Sequence, residues 1–131
     1  MKISAKAFFW APRILGILAI CFISIFALDA FQPNMTIWEQ LRGFLMHLVP
    51  SFILLAIFLV AWKWELIGGI IFIAIGLVLT PFIYIHNYNM NGSVWMSLGV
   101  ILMITFPFIL MGILFILDHK INKDKPSIQL K

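Results

Sequence analysis

The chain has 131 residues, of which 63% are hydrophobic and only 11% are charged, and its mean hydropathy is +1.09. Soluble globular proteins are roughly 45–50% apolar and about 25% charged, so this composition excludes a soluble domain. The net charge of +4 does not indicate nucleic-acid binding, because the basic residues lie beside the ends of apolar segments. We predict one membrane domain over residues 1–117 and a basic, poorly ordered cytoplasmic tail over residues 118–131.

The first apolar segment predicts a transmembrane helix over about residues 8–30. Because it follows Lys2 and Lys6, it also has the pattern of a secretory signal. Asp29, however, lies where a cleavage site needs small neutral residues. We therefore expect this segment to be retained as part of the fold.

Three further apolar segments follow in chain order. The second helix is predicted over about residues 43–62, and Thr36 and Glu39 have the spacing of a capping box that would start an interfacial helix leading into it. The third is predicted over about residues 64–86 and the fourth over about residues 94–117. Continuous apolar runs favour helices over the alternating strands of a barrel. The predicted fold is an all-α membrane protein, a four-transmembrane-helix bundle.

The basic residues predict the orientation of this bundle. Arg42 is the only lysine or arginine in the loops at one end of the predicted helices. The positive-inside rule then places both termini in the cytoplasm of a cell whose inner membrane holds the protein. The lysines at the cytoplasmic end are Lys2, Lys6, Lys63, Lys120, Lys123, Lys125 and Lys131.

Two pairs of segments resemble each other. Residues 10–16, WAPRILG, match residues 62–68, WKWELIG, with Arg13 and Glu65 at the same position. A second match joins the second and fourth helices through Trp38 and Trp95, Leu45 and Leu102, and Pro50 and Pro107. One interpretation is a duplication that gives two hairpins related as parallel repeats. The other is a chance likeness between segments rich in leucine and isoleucine.

Arg13 and Glu65 form the first candidate site, as a structural ion pair. On a helical wheel each shares a face with small residues, which allow two helix backbones to approach. We expect the first and third helices to pack along these faces, with the ion pair at the cytoplasmic end. The alternative is that Arg13 reaches lipid phosphate while Glu65 pairs with Lys63 in a solvated turn. The small residues on the two faces are Gly16, Ser24, Gly68, Gly69 and Gly76.

Asp29 and His47 form a second candidate, a polar or proton site toward the opposite surface. A histidine beside a carboxylate titrates in a useful range and can relay protons. A structural cap or bridge is the alternative. No set of histidines and carboxylates has metal-ligand spacing, and no serine or threonine has a paired base. We therefore predict no metal, no cofactor, no catalytic residue and no enzymatic activity.

Several strings together resemble a family of small four-span bacterial membrane proteins that is known only as a domain of unknown function. The likeness covers about residues 8–117 and implies the fold and topology, with no activity. Small multidrug resistance transporters are of similar size, but they use a glutamate within their first helix, where this chain has Arg13 and Asp29. The strings are residues 12–16, 28–31, 47–50 and 61–69.

The predicted function is that of a structural, accessory or partner-binding membrane subunit. The predicted partners are the lipid bilayer and either a second copy or another membrane protein. The alternative is a small oligomeric transporter or proton-coupled carrier that uses Asp29 and His47.

Overall fold

A computed structural model of the chain describes residues 5–124. This part contains four long helices, all long and apolar enough to cross a membrane. The all-α fold with four membrane-length helices is therefore confirmed. The helices are α1 (Ala5–Ile25), α2 (Ile37–Lys63), α3 (Glu65–Asn91) and α4 (Val94–Lys123).

The first predicted helix is divided into two parts. After α1 the chain tightens into a 3-10 helix, Phe26–Ala30. Such tighter turns are common at the ends of α-helices. The segment predicted as one helix over about residues 8–30 therefore consists of an α-helix followed by a 3-10 helix.

The capping box is present at the start of α2. The Thr36 hydroxyl accepts a hydrogen bond from the Glu39 backbone N–H at 3.3 Å, and the Thr36 N–H donates to the Glu39 carboxylate at 2.8 Å. These bonds satisfy backbone donors that a helix start otherwise leaves free. Consequently α2 begins at Ile37, ahead of the predicted residue 43.

The ends of the second hairpin are also capped by local residues. Helix α3 ends at Gly92, whose φ of 64° places it in the left-handed region that glycine adopts readily. The Ser93 hydroxyl then accepts from the Met96 N–H at 3.3 Å and starts α4. The predicted third helix was too short, since α3 runs on to Asn91.

The prediction that a tail begins at residue 118 is wrong. Helix α4 continues to Lys123, and the Asp118 side chain is fully buried. The helix continues because Asp118 has ionic partners inside the bundle, described below. Of the predicted tail, residues 125–131 lie outside the described residues.

The helices form a four-membered ring. Helix α1 packs against α2 and α4, and α3 packs against the same two helices from the other side. The centre is filled by apolar side chains whose rings meet across the bundle, as Phe58 of α2 and Phe115 of α4 lie with ring centroids 6.3 Å apart. The buried core residues are Leu54, Phe58, Ala61, Phe72, Met111 and Phe115.

Helices α3 and α4 approach each other closely at two glycines. A Cβ added at Gly69 would lie 2.8 Å from the carbonyl oxygen of Gly112, and one at Gly112 would lie 2.5 Å from that of Gly69. Gly76, on the same helix, faces Ile109 of α4. The expectation that the first and third helices pack along their small residues is therefore wrong. Gly69 and Gly76 face α4, to which a turn of two residues joins α3.

The remaining small residues pack α1 and α3 against α2. Gly16 faces the ring of Phe58, and Gly68 faces the backbone of Ala61. The hydroxyl oxygens of Ser24 and Ser51 lie 3.1 Å apart between α1 and α2. All five small residues thus lie at contacts between helices, as predicted for packing residues. These contacts join neighbouring helices of the ring and do not join α1 to α3.

Candidate functional site

Arg13 lies in the first half of α1. Only 1% of its side chain is exposed. Arg13 lies on the buried face of α1, since Pro12 and Gly16 beside it are also buried. A buried guanidinium must be paired, because an isolated charge in an apolar interior is very costly. The surrounding helices supply that pairing.

Two carboxylates bind the two ends of the guanidinium. Arg13 Nη1 donates to Asp118 Oδ2 at 2.7 Å, and Nη2 donates to Glu65 Oε1 at 2.9 Å. Nη1 also donates to the backbone carbonyl of Phe9, one turn earlier in α1. The ion pair predicted between Arg13 and Glu65 is present, and it is one half of a larger arrangement.

Asp118 is the residue that sequence reasoning missed. Its carboxylate is fully buried on α4, with Oδ2 bound to Arg13 and Oδ1 accepting from Asn122 Nδ2 at 3.0 Å. Carboxylates near the C-terminal end of a helix oppose the helix dipole, so one at this position needs a cation nearby. That mismatch, together with the spacing from buried Met111 and Phe115 on the same face, is the signal that could have identified it.

Glu65 occupies a more open position than Asp118. It lies in the first turn of α3, where the helix dipole favours a negative charge. Its side chain is 16% exposed, and its second oxygen lies 4.0 Å from His119 Nδ1. His119 is 39% exposed, so this side of the arrangement reaches the surface of the bundle.

Aromatic rings enclose the guanidinium. The Arg13 Cζ atom lies 3.6 Å from the centroid of the Phe9 ring and 5.3 Å from that of Trp62. Phe115 of α4 is the third ring, at 5.6 Å. Arginine over an aromatic face gains further electrostatic attraction. Trp62 belongs to α2, so Arg13 contacts all four helices.

We call Arg13, Glu65, Asp118, His119 and Asn122 the Arg13 cluster. Its formal charges sum to −1 with His119 neutral and to zero with His119 protonated. Within the described residues, Arg13 Nε is buried without a hydrogen-bond partner. The arrangement holds three helices by charge and the fourth by ring contact, all at one end of the bundle.

Asp29 and His47 do not form a joint site in the described bundle. Asp29 is exposed on the 3-10 helix, and His47 is exposed on α2. His47 Nδ1 lies 2.7 Å from the Gly43 carbonyl oxygen of its own helix. Within residues 5–124, no hydrogen bond or ion pair joins the two side chains.

Within the described residues, no group of three or more histidine, cysteine, aspartate or glutamate side chains is placed to hold a metal ion. In particular, the Arg13 cluster brings together two carboxylates, but Arg13 occupies the space between them.

A family model described as a domain of unknown function (DUF7670) matches residues 1–127 of the chain. No curated protein and no solved structure matches the chain.

Proposed function

Since the chain belongs to the family of the domain of unknown function DUF7670, we propose a function from the geometry of its own residues. The protein is a non-enzymatic, multi-pass protein of the inner membrane. It serves as a structural, accessory or partner-binding subunit.

The observation that carries this proposal is the closure of the Arg13 cluster. Arg13 and Asp118 are 1% and 0% exposed, and their charged atoms are directed at each other. Groups that act on a substrate must be reachable by it, whereas groups that join helices are best paired and enclosed. The strongest polar arrangement of the described bundle therefore supports a structural role.

The outward surfaces support a partner in the membrane. In the most apolar stretch of each helix, only 22% of the residues are buried inside the bundle. The remaining surface must contact lipid or another membrane protein. Helix association in bilayers depends on packing and on small residues, so such faces are suited to binding a further helix.

The lysines support cytoplasmic termini. Lys63, Lys120 and Lys123 lie at the same end of the bundle as the Arg13 cluster. The test replaces Cys21, the one cysteine of the chain, by alanine and then introduces Asn91→Cys or Lys123→Cys. In intact spheroplasts, an impermeant maleimide should label the first variant, and it should label the second only after the membrane is opened. The reverse pattern would overturn the orientation.

Affinity purification from native membranes tests the proposed role directly. The tagged full chain should retain a distinct membrane protein at a fixed ratio in mild detergent, while an unrelated tagged four-span protein should not. Recovery of the chain alone, in one or several copies, would contradict a role as subunit of a larger complex.

The alternative is a small oligomeric transporter or proton-coupled carrier. It is favoured by Asp29 and His47, which are ionisable, exposed and placed within apolar segments. The two do not meet in one chain, so this function requires them to meet between copies. Proton flux into liposomes should then fall with Asp29→Asn and with His47→Gln. It should persist with His86→Gln, which alters an exposed histidine of α3 outside this pair. An absence of flux from the unaltered chain would exclude it.

A further inference from the structure

A groove of about 400 Å³ lies between α1 with its 3-10 extension and α4. Ligand pockets commonly enclose about 300–1,000 Å³ and are mainly apolar, with a few polar groups that fix the orientation of the ligand. The volume of this groove lies within that range, and its walls are apolar. Its walls include Leu18, Ala19, Phe22, Phe26, Met103 and Phe108.

The geometry of the 3-10 helix places Asp29 one turn beyond Phe26, a residue that lines this groove. A 3-10 helix has three residues per turn, so residues three apart lie on the same face. Ala27 and Ala30 form one such pair, and both are buried. Phe26 and Asp29 have the same spacing, so they share a second face of this 3-10 helix. Because Phe26 lines the groove, Asp29 lies about 6 Å further along the same face, at a rise of about 2 Å per residue.

Asp29 has no partner in the described bundle. It is exposed, and residues 5–124 provide it with neither a hydrogen bond nor an ion pair. It also belongs to Ala5–Ala30, a segment long and apolar enough to span a membrane. A carboxylate in such a segment is costly unless it meets water or a positive charge.

We propose that the groove binds a lipophilic cation. The apolar body of the ligand lies between α1 and α4, and its positive charge meets the Asp29 carboxylate. Phe22 and Phe26 on the α1 side add aromatic faces, which attract cations. A neutral acyl chain could fill the same volume, but it would leave Asp29 without a counter-charge. This inference goes beyond the proposed subunit role and does not depend on it.

The test measures binding of tetraphenylphosphonium to the purified full chain in a neutral detergent by equilibrium dialysis. Tetraphenylborate, an anion of the same shape, is the matched ligand. The chain should bind the cation at one site and should bind the anion at least about tenfold more weakly, equivalent to about 1.4 kcal/mol. Equal binding of cation and anion would overturn the proposal.

Two kinds of variant locate the bound cation. Asp29→Asn should weaken tetraphenylphosphonium binding by about tenfold, while Asp124→Asn, which alters an exposed carboxylate at the far end of α4, should leave it unchanged. Ala19→Phe should abolish binding by filling the groove. If that variant does not fold, Leu18→Trp at a 61% exposed wall position replaces it. Unchanged binding in Asp29→Asn, or in a folded groove variant, would overturn the proposal.

Discussion

Arg13 and Asp118 are separated by 105 positions in the chain, and their side chains meet at 2.7 Å in the interior of the bundle. The contact joins the first helix to the last. Glu65 is the second ionic partner of Arg13, at 2.9 Å. These two contacts determine which substitutions of the charged residues at this end of the bundle preserve stability.

Removal of the Asp118 charge should destabilise the protein. Asp118→Ala leaves Arg13 buried with Glu65 as its one ionic partner, and breaking a buried pair typically costs about 3–5 kcal/mol. The free energy of unfolding, measured by titration with a denaturing detergent, should fall by that amount. Asp124→Ala, at an exposed position, should change it by less than about 0.5 kcal/mol. Equal effects of the two substitutions would contradict a structural role for the buried pair.

Exchange of the charges of Arg13 and Glu65 should not restore stability. Arg13→Glu with Glu65→Arg reverses one ion pair, but it also places a carboxylate at position 13 opposite Asp118. Like charges that share a buried site repel each other strongly. Expression and thermal stability of the double variant should therefore remain below those of the unaltered chain.

A third substitution provides the control for this exchange. Addition of Asp118→Asn to the double variant removes the repulsion, so the triple variant should be more stable than the double one. If the double variant were fully stable, Asp118 could not be a direct partner of residue 13.

The contact between α3 and α4 should depend on the absence of side chains at Gly69 and Gly112. Gly112→Ala places a Cβ 2.5 Å from the Gly69 carbonyl oxygen, so the helices must separate, at a cost of about 1–3 kcal/mol. Gly99→Ala on the same helix is the matched control, because nothing lies within 4 Å of its added Cβ. That substitution should be neutral or stabilising by up to about 1 kcal/mol, since alanine favours helix. Equal effects of the two substitutions on stability would contradict a close helix approach that requires glycine at position 112.

Each hairpin contains one contact between hydroxyl groups, and both should contribute little. Ser24 and Ser51 are 3.1 Å apart, and Thr80 and Thr105 are 3.3 Å apart. Bonds between polar side chains of membrane helices average about 0.6 kcal/mol in double-mutant cycles. Cycles made with alanine at the serines and valine at the threonines should give coupling energies near that value. Coupling above about 2 kcal/mol at either pair would show that the hydroxyl groups stabilise the hairpins more than the packing argument allows.

Local patterns determined much of the fold. The lengths of the apolar runs predicted four membrane helices, since a helix must be long enough to cross the hydrocarbon layer. The capping box at Thr36 was also predicted from the sequence, because caps depend on residues within one turn of each other. The likeness between residues 10–16 and 62–68 led to the pair Arg13 and Glu65, which the structure contains.

Helix partners and the second carboxylate were decided only by the tertiary structure. The helical wheel identified Gly69 as a packing residue, but a wheel does not show which neighbour a face meets, and Gly69 faces Gly112 of α4. Asp118 read as the start of a polar tail, because a charge after an apolar run usually marks the end of a membrane segment. Burial of that charge became favourable only when the bundle brought Arg13 to the same level from the opposite end of the chain. The sequence determined that the chain forms four helices long and apolar enough to cross a membrane, and long-range packing determined which of their charges meet.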